Sequence, residues 1–169
     1  MTIDKAMLAA ATVAALAAAL PARAQQDDVK QKLLGTWKLI SVVREEVPSG
    51  AKTDQLGPSP SGYITYGPDN RMMVVIVGSN RKKPAGNVAT PAEAEALFRS
   101  VTAYAGRYEI AEGKLTHHID VSWNELWTGT SQARFFKFEG DRVVLSTAVS
   151  PDPVDGKTSV RRITWQKVQ

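Results

Sequence analysis

The connectors between predicted strands constrain this chain more than any other feature. From Gln31 onward apolar and polar residues alternate with period two, broken by turn-forming clusters, which predicts many short strands. We read eight: Leu33–Val43, Gly62–Tyr66, Arg71–Val77, Tyr104–Ala111, Lys114–Trp123, Gln132–Phe138, Arg142–Val149 and Thr158–Val168. "GPDN", "AEGK" and "EGDR" join strands two to three, four to five and six to seven as tight hairpins. The connections between them are long: "REEVPSGAKTDQLGPSPS", a segment from "GSN" through a helix, "NELWTGTS" and "SPDPVDGK". Strict alternation of short and long places every tight turn at one end of an up-and-down meander and every long loop at the other. Eight such strands can close into a barrel that holds one small ligand, and closure removes exposed edges. The expected fold is therefore all-β, an eight-stranded antiparallel up-and-down barrel with one short helix between strands three and four. Two packed sheets are the alternative that periodicity leaves open.

The helix is read from "ATPAEAEALFRSV": Thr90 is the N-cap, Pro91 the first helical residue, and Glu93 completes a capping box. Ala94, Leu97, Phe98 and Val101 form its expected apolar stripe. The N-terminus reads differently. Lys5 precedes an apolar run from Ala6 to Leu20, Pro21 breaks it, and Ala22-Arg23-Ala24 has the small-x-small pattern of a signal peptidase site. Residues 1–24 are expected to be a cleaved signal peptide, with cleavage after Ala24, and residues 25–169 a single barrel domain. The run is too short and too rich in alanine for a membrane span, so no integral membrane segment is expected after cleavage. The expected location is periplasmic or secreted. The chain has no cysteine, which excludes a lipoprotein anchor, disulfides and thiolate metal sites. Formal charge is +4 for the full chain, and the basic residues are interspersed with acidic ones rather than clustered, which argues against nucleic-acid binding.

Only two histidines occur, and they are adjacent: His117 and His118 in "THHIDVSW". Neighbours in a strand point to opposite faces, so one alone can look into a cavity. Taking Glu112-Gly113 as the two turn residues pairs Ala111 with Lys114. Ile110 then faces Leu115, Tyr108 faces His117, Gly106 faces Ile119 and Tyr104 faces Val121. The other face pairs Glu109 with Thr116, Arg107 with His118 and Ala105 with Asp120. One face is apolar and aromatic and the other charged, so His117 is expected inside beside Tyr108, and His118 outside. The "EGDR" hairpin pairs Phe138 with Val143, Phe136 with Leu145 and Arg134 with Thr147, which sends Arg134 into the barrel. A buried guanidinium needs a carboxylate, a carbonyl or a ligand anion. Arg161, Ile163 and Trp165 are expected to share the inward face of the last strand. The hairpin from Gly62 to Val77 is apolar on both faces, and the sequence does not orient it.

"LLGTWKLIS", with Gly35-Thr36-Trp37, resembles the Gly-x-Trp opening of lipocalins. "GYITYGPDNRM", "YAGRYEI", "THHIDVSW" and "QARFFKFEGDRVVLST" resemble the bacterial lipocalin-like domain family, collinearly over almost all of the chain after residue 24. The resemblance implies a calycin-type barrel with an internal cavity but supplies no substrate. It also implies that Trp37, Leu39 and Ser41 face inward and that one of Arg161, Arg162 and Trp165 caps Trp37.

The expected interior thus mixes apolar residues with Tyr104, Tyr108, His117, Arg134 and Arg161, with Trp123, Leu126 and Trp127 at the mouth. These residue types suit a small hydrophobic or amphipathic anion, its carboxylate or phenolate met by arginine and its body by aromatic side chains. Tyr104, Tyr108, His117, Arg134, Arg161 and Trp123 are the candidate ligand-binding residues. A barrel packed shut, with these groups satisfying one another, is the plain alternative. A further alternative is a cofactor-independent acid–base enzyme, a cyclase, isomerase or lyase using His117 with Tyr108 and Arg134. No cofactor is expected. No metal site is expected either, because the two histidines face opposite ways and no inward carboxylate joins them. No Gly-x-Ser-x-Gly, phosphate loop or defensible carboxylate pair is present. Pro48–Pro60 is read as a lid over the mouth or, equally, a solvated loop, and "NRKKPAGN" as a basic loop at the same end.

Overall fold

The computed structural model describes residues 25–152 and 155–169, so the expected signal peptide lies outside the described residues. Among these residues ten strands occur: β1 (Gly35–Glu46), β2 (Lys52–Asp54), β3 (Ser61–Tyr66), β4 (Arg71–Val77), β5 (Val101–Ala111), β6 (Lys114–Ser122), β7 (Ser131–Glu139), β8 (Arg142–Ser146), β9 (Ser150–Pro151) and β10 (Thr158–Lys167). Eight of them follow the order β1-β3-β4-β5-β6-β7-β8-β10, every pair antiparallel, and β10 returns to pair with β1. The barrel is closed. The two strands not expected, β2 and β9, are short ribbons on the long-loop ends of β1 and β10. No helix among the described residues is long and apolar enough to cross a membrane.

The tight turns form as the sequence requires. Glu112 and Gly113 both take positive φ (50° and 72°), which lets Ala111 pair with Lys114. Gly140 at φ 64° does the same for the Glu139–Arg142 pair. The helix spans Pro91–Arg99 between β4 and β5, and its capping box is complete: Glu93 N–H donates to Thr90 Oγ1, and Thr90 N–H to the Glu93 carboxylate. Those bonds hold the Glu93 carboxyl below the usual carboxylate range. The expected apolar stripe is corrected. No helix residue is buried, and Val101 already belongs to β5. The first strand is corrected too. Residues 25–33 are helical, with Lys32 paired to Asp28 one turn earlier at 2.7 Å, and β1 begins only at Gly35.

The hairpin that sequence alone does not orient has Ile64, Tyr66, Met72, Val74 and Ile76 inside, and Tyr63, Met73 and Val75 outside. Two bulges re-aim the inward faces. Along β1 the register against β10 shifts between Leu39 and Ser41, so Val42, not Ser41, is the buried residue beyond Leu39. Along β6 it shifts opposite the Ala105–Gly106 step. Gly106 still faces Ile119, but Ala105 faces Val121 and Tyr104 faces Ser122, in place of the expected Ala105–Asp120 and Tyr104–Val121 pairs. Val121 is turned to solvent, and Asp120, the extra residue, ion-pairs with Arg71 at 2.6 Å. Gly106 allows this close approach, since a Cβ there would lie 1.9 Å from the His118 carbonyl oxygen.

At the closed end Trp37 is 2% exposed and pairs with Lys167. The Lys167 ammonium lies 4.5 Å from the Trp37 ring centroid and donates to the Leu34 carbonyl. The cap is therefore Lys167, not Arg161, Arg162 or Trp165, because the β1–β10 register sets it directly opposite the tryptophan.

Candidate functional site

Inside the barrel lies a cavity of about 300 Å³ that opens towards the long loops. Its body is aliphatic: Ile64, Val74, Ile76, Leu145 and Ile163 come from inward positions of four strands. Its upper part is aromatic, with Tyr104, Trp123 and Trp127 on one side. Trp123 and Trp127 meet edge to face at 4.8 Å, and Trp127 lies 5.9 Å from Tyr104. Gln55 and Leu56, in the segment read as a lid, line the same cavity, and the Leu56 carbonyl accepts from Ser79 N–H. Leu126, between the two tryptophans in sequence, instead points into solvent.

His117 occupies the centre of a buried hydrogen-bond chain. Its Nε2 lies 2.8 Å from the Tyr66 hydroxyl and its Nδ1 2.9 Å from the Tyr104 hydroxyl. Burial, helped by the nearby Arg134 and His118, pulls the His117 pKa from 6.5 to about 3, so the ring is neutral. A neutral imidazole has one N–H and one lone pair, so one tyrosine donates to His117 while the other accepts from it. Burial also pushes the Tyr104 phenol up to about 12, against the opposing pull of Arg134, and the Tyr66 phenol well above its usual range. All three groups are uncharged over the physiological range.

Tyr108 departs from expectation. It is buried and pairs with His117 in the ladder, yet its hydroxyl donates to the Gly67 carbonyl at 2.9 Å and it does not line the cavity. The partner that sequence reasoning missed is Tyr66, on the unoriented hairpin. Because both faces of that hairpin are apolar, alternation carried no signal. The β1–β3 ladder, which pairs Trp37 with Ile64, would have placed Tyr66 inside.

Arg134 enters the barrel from β7 as expected. One terminal nitrogen donates to Gln132 Oε1 at 2.6 Å and the other to the Ala133 carbonyl at 2.9 Å. Both acceptors are neutral. No carboxylate of the described residues lies within ion-pair distance of Arg134, and no Asp or Glu lines the cavity. Burial pulls the guanidinium below its usual range, with Tyr104 and Tyr66 acting the other way, but an arginine stays cationic. The other two arginines at the cavity are partnered. Arg161 donates to buried Asp152 at 2.8 Å, and Arg99 pairs with Glu95 on the helix surface. Two tryptophans of the lining, Trp123 and Trp165, carry buried indole N–H groups with no acceptor.

His118 lies on the outer face as expected, opposite Arg107. Its Nδ1 is 2.9 Å from Ser131 Oγ and its Nε2 3.3 Å from Glu109 Oε2, a polar cluster on open sheet that lines no described cavity. Among the described residues no group of three His, Asp or Glu side chains could hold a metal ion.

No curated protein matches the chain. The sequence model of the lipocalin-like domain matches residues 34–168, which span the barrel from just before β1 to just after β10. A closed eight-stranded barrel around a lined cavity is the architecture that this match leads one to expect, and the chain belongs to the lipocalin-like domain family.

Proposed function

We propose that the protein is an exported binding protein that takes one small amphipathic anion into the barrel. The observation that carries this reading is Arg134: unlike Arg99 and Arg161, the cavity's other cations, it is bonded only to neutral acceptors. A charge half-buried among the apolar and aromatic residues of the cavity without a counter-charge is poorly compensated, and a ligand carboxylate or phenolate supplies one through a charge-assisted pair. The aliphatic body and the Trp123–Trp127 pair then cover the apolar part of the ligand. Candidate contacts are Arg134, Tyr104 and Trp123, with Arg161 and His117 completing the wall. Export rests on the leader read at residues 1–24, with cleavage after Ala24.

The acid–base alternative has less support. His117 has both ring nitrogens engaged, and a conjugate acid with a pKa of about 3 is a weak base at neutral pH. Its partner in that scheme, Tyr108, is turned to a backbone carbonyl.

The test is a titration of the protein with decanoate and with cinnamate, followed by tryptophan fluorescence and by native mass spectrometry. The expected result is saturable one-to-one binding that weakens at least tenfold in Arg134→Met. Binding equally strong in that variant, or no saturable response to either acid or to its hydroxylated counterpart, would sink the reading.

A further inference from the structure

The second tryptophan of the lining separates this cavity from one that merely accepts a fatty tail. Trp165 is 1% exposed, among the most buried side chains of the barrel, yet its indole N–H has no acceptor among the described residues. A tryptophan buried so completely in a barrel core ordinarily finds a hydrogen-bond partner, and a donor left unpaired is destabilising. This one lies in the wall of a cavity.

The ladder shows where it stands relative to Arg134. Phe136, Leu145 and Ile163 form one row across β7, β8 and β10. Arg134 is the next inward position on the mouth side of that row. Trp165 is the next on the closed-end side, level with Val143 and Phe138. Two inward positions therefore separate the cation from the unpaired N–H along the strand direction, and aliphatic Leu145 and Ile163 lie between them. Tyr104 and His117 are already bonded to one another, and Arg161 is bonded to Asp152. The cavity thus presents a cation, an apolar stretch and, at the closed end of that stretch, a neutral donor, with the other unpaired indole, that of Trp123, up among the mouth aromatics and no carboxylate among the lining residues. Its volume of about 300 Å³ sits at the small end for ligand sites, so the complementary molecule is short.

We propose that the cavity is built for a short acid carrying a second oxygen, a hydroxyl or oxo group, whose carboxylate meets Arg134 and whose second oxygen accepts from the Trp165 indole N–H. The inference rests on the anion-binding reading and extends it, making Trp165 the residue that selects among anions. An acid without the second oxygen fills the apolar stretch but leaves the indole unpaired. Sites built to hydrogen-bond a substituent reject analogues that lack it far more strongly than apolar pockets reject small changes in size.

Matched acids test this: decanoate against its ω-hydroxy acid, and cinnamate against para-hydroxycinnamate, each titrated into the full barrel. In at least one pair the oxygenated member should bind tenfold or more tightly. On ¹³C,¹⁵N-labelled wild-type protein, with each indole resonance assigned through the bonds of its own ring and backbone, it should shift the Trp165 indole N–H resonance downfield. In Trp165→Phe the preference should fall to less than twofold while Arg134-dependent binding persists. If Trp165→Phe does not fold, the indole shift in the wild-type protein decides. Equal binding within both pairs, lost in Arg134→Met, would overturn the role of Trp165 and leave the anion reading standing. Absence of binding by all four acids would overturn both.

Discussion

The inner and outer faces of β5, β6 and β7 each carry one histidine, each between two oxygen-bearing side chains, and the two behave in opposite ways. His117 is 1% exposed and sits between the Tyr66 and Tyr104 hydroxyls. The His118 side chain is 35% exposed and sits between the Ser131 hydroxyl and the Glu109 carboxylate. They are neighbours in sequence. Inside, the imidazole cannot be hydrated when charged, so it is held neutral and its two bonds are obligatory. Outside, water competes for every contact, and the 3.3 Å contact with Glu109 is of the exposed kind that contributes little. Solvent access, rather than the identity of the neighbours, decides which histidine is structural.

Acid is the sharpest way to test that contrast. His117 takes its proton near pH 6.5 in the unfolded chain and near 3 in the barrel. Between those values the unfolded chain binds more protons, so this contribution is complete above pH 6.5 and drains away as pH falls towards 3. Urea denaturation between pH 7 and 4 should show a loss attributable to His117, at most about 5 kcal/mol when complete. The slope should be shallower in His117→Gln than in the wild-type protein. Equal slopes in the two proteins would remove the special standing of the inner face.

Deleting the inner imidazole should come next in size. His117→Leu leaves two buried hydroxyls unpaired and should cost about 3 kcal/mol at neutral pH. Tyr66→Phe and Tyr104→Phe should each cost about 1–2 kcal/mol, and either should combine non-additively with His117→Leu, because the three share one chain of bonds. Denaturation midpoints of the single and double variants measure this, and strict additivity would mean that the chain is not a unit. The smallest effects belong outside. His118→Ala and Glu109→Gln should each change stability by less than about 0.5 kcal/mol, with no dependence on salt beyond that.

The same two faces show what a sequence can reveal. Period two and the turn residues carry the fold, and the "AEGK" register correctly sends His117 in and His118 out, because pairing near a tight turn is fixed by the turn. Farther from the turn the reading fails. The bulge at Asp120 shifts Tyr104 from Val121 to Ser122, and the one hint of it, Gly106 within a strand, signals a close backbone approach without saying which residue is extra. The partners of His117 were less legible still. A ladder states which residues are adjacent across two strands, so Tyr108 looked like the natural partner. The actual hydroxyls arrive from β3 and from farther along β5, and barrel curvature decides where their tips meet. Arg134 could be read from a single hairpin. The unpaired indole of Trp165 could not, since an absent partner is a property of the whole interior.

The Lys167–Trp37 cap has a consequence for how the chain reaches this state. The seam it closes joins Gly35–Glu46 to Thr158–Lys167, the first and last strands of the barrel. Every strand between can pair with a sequence neighbour as it is made, but β1 has to wait for the final residues before its second edge is covered. Contacts across so long a loop are the slow ones, because chain entropy must be lost before they form. The barrel therefore stays an open sheet until β10 has been made.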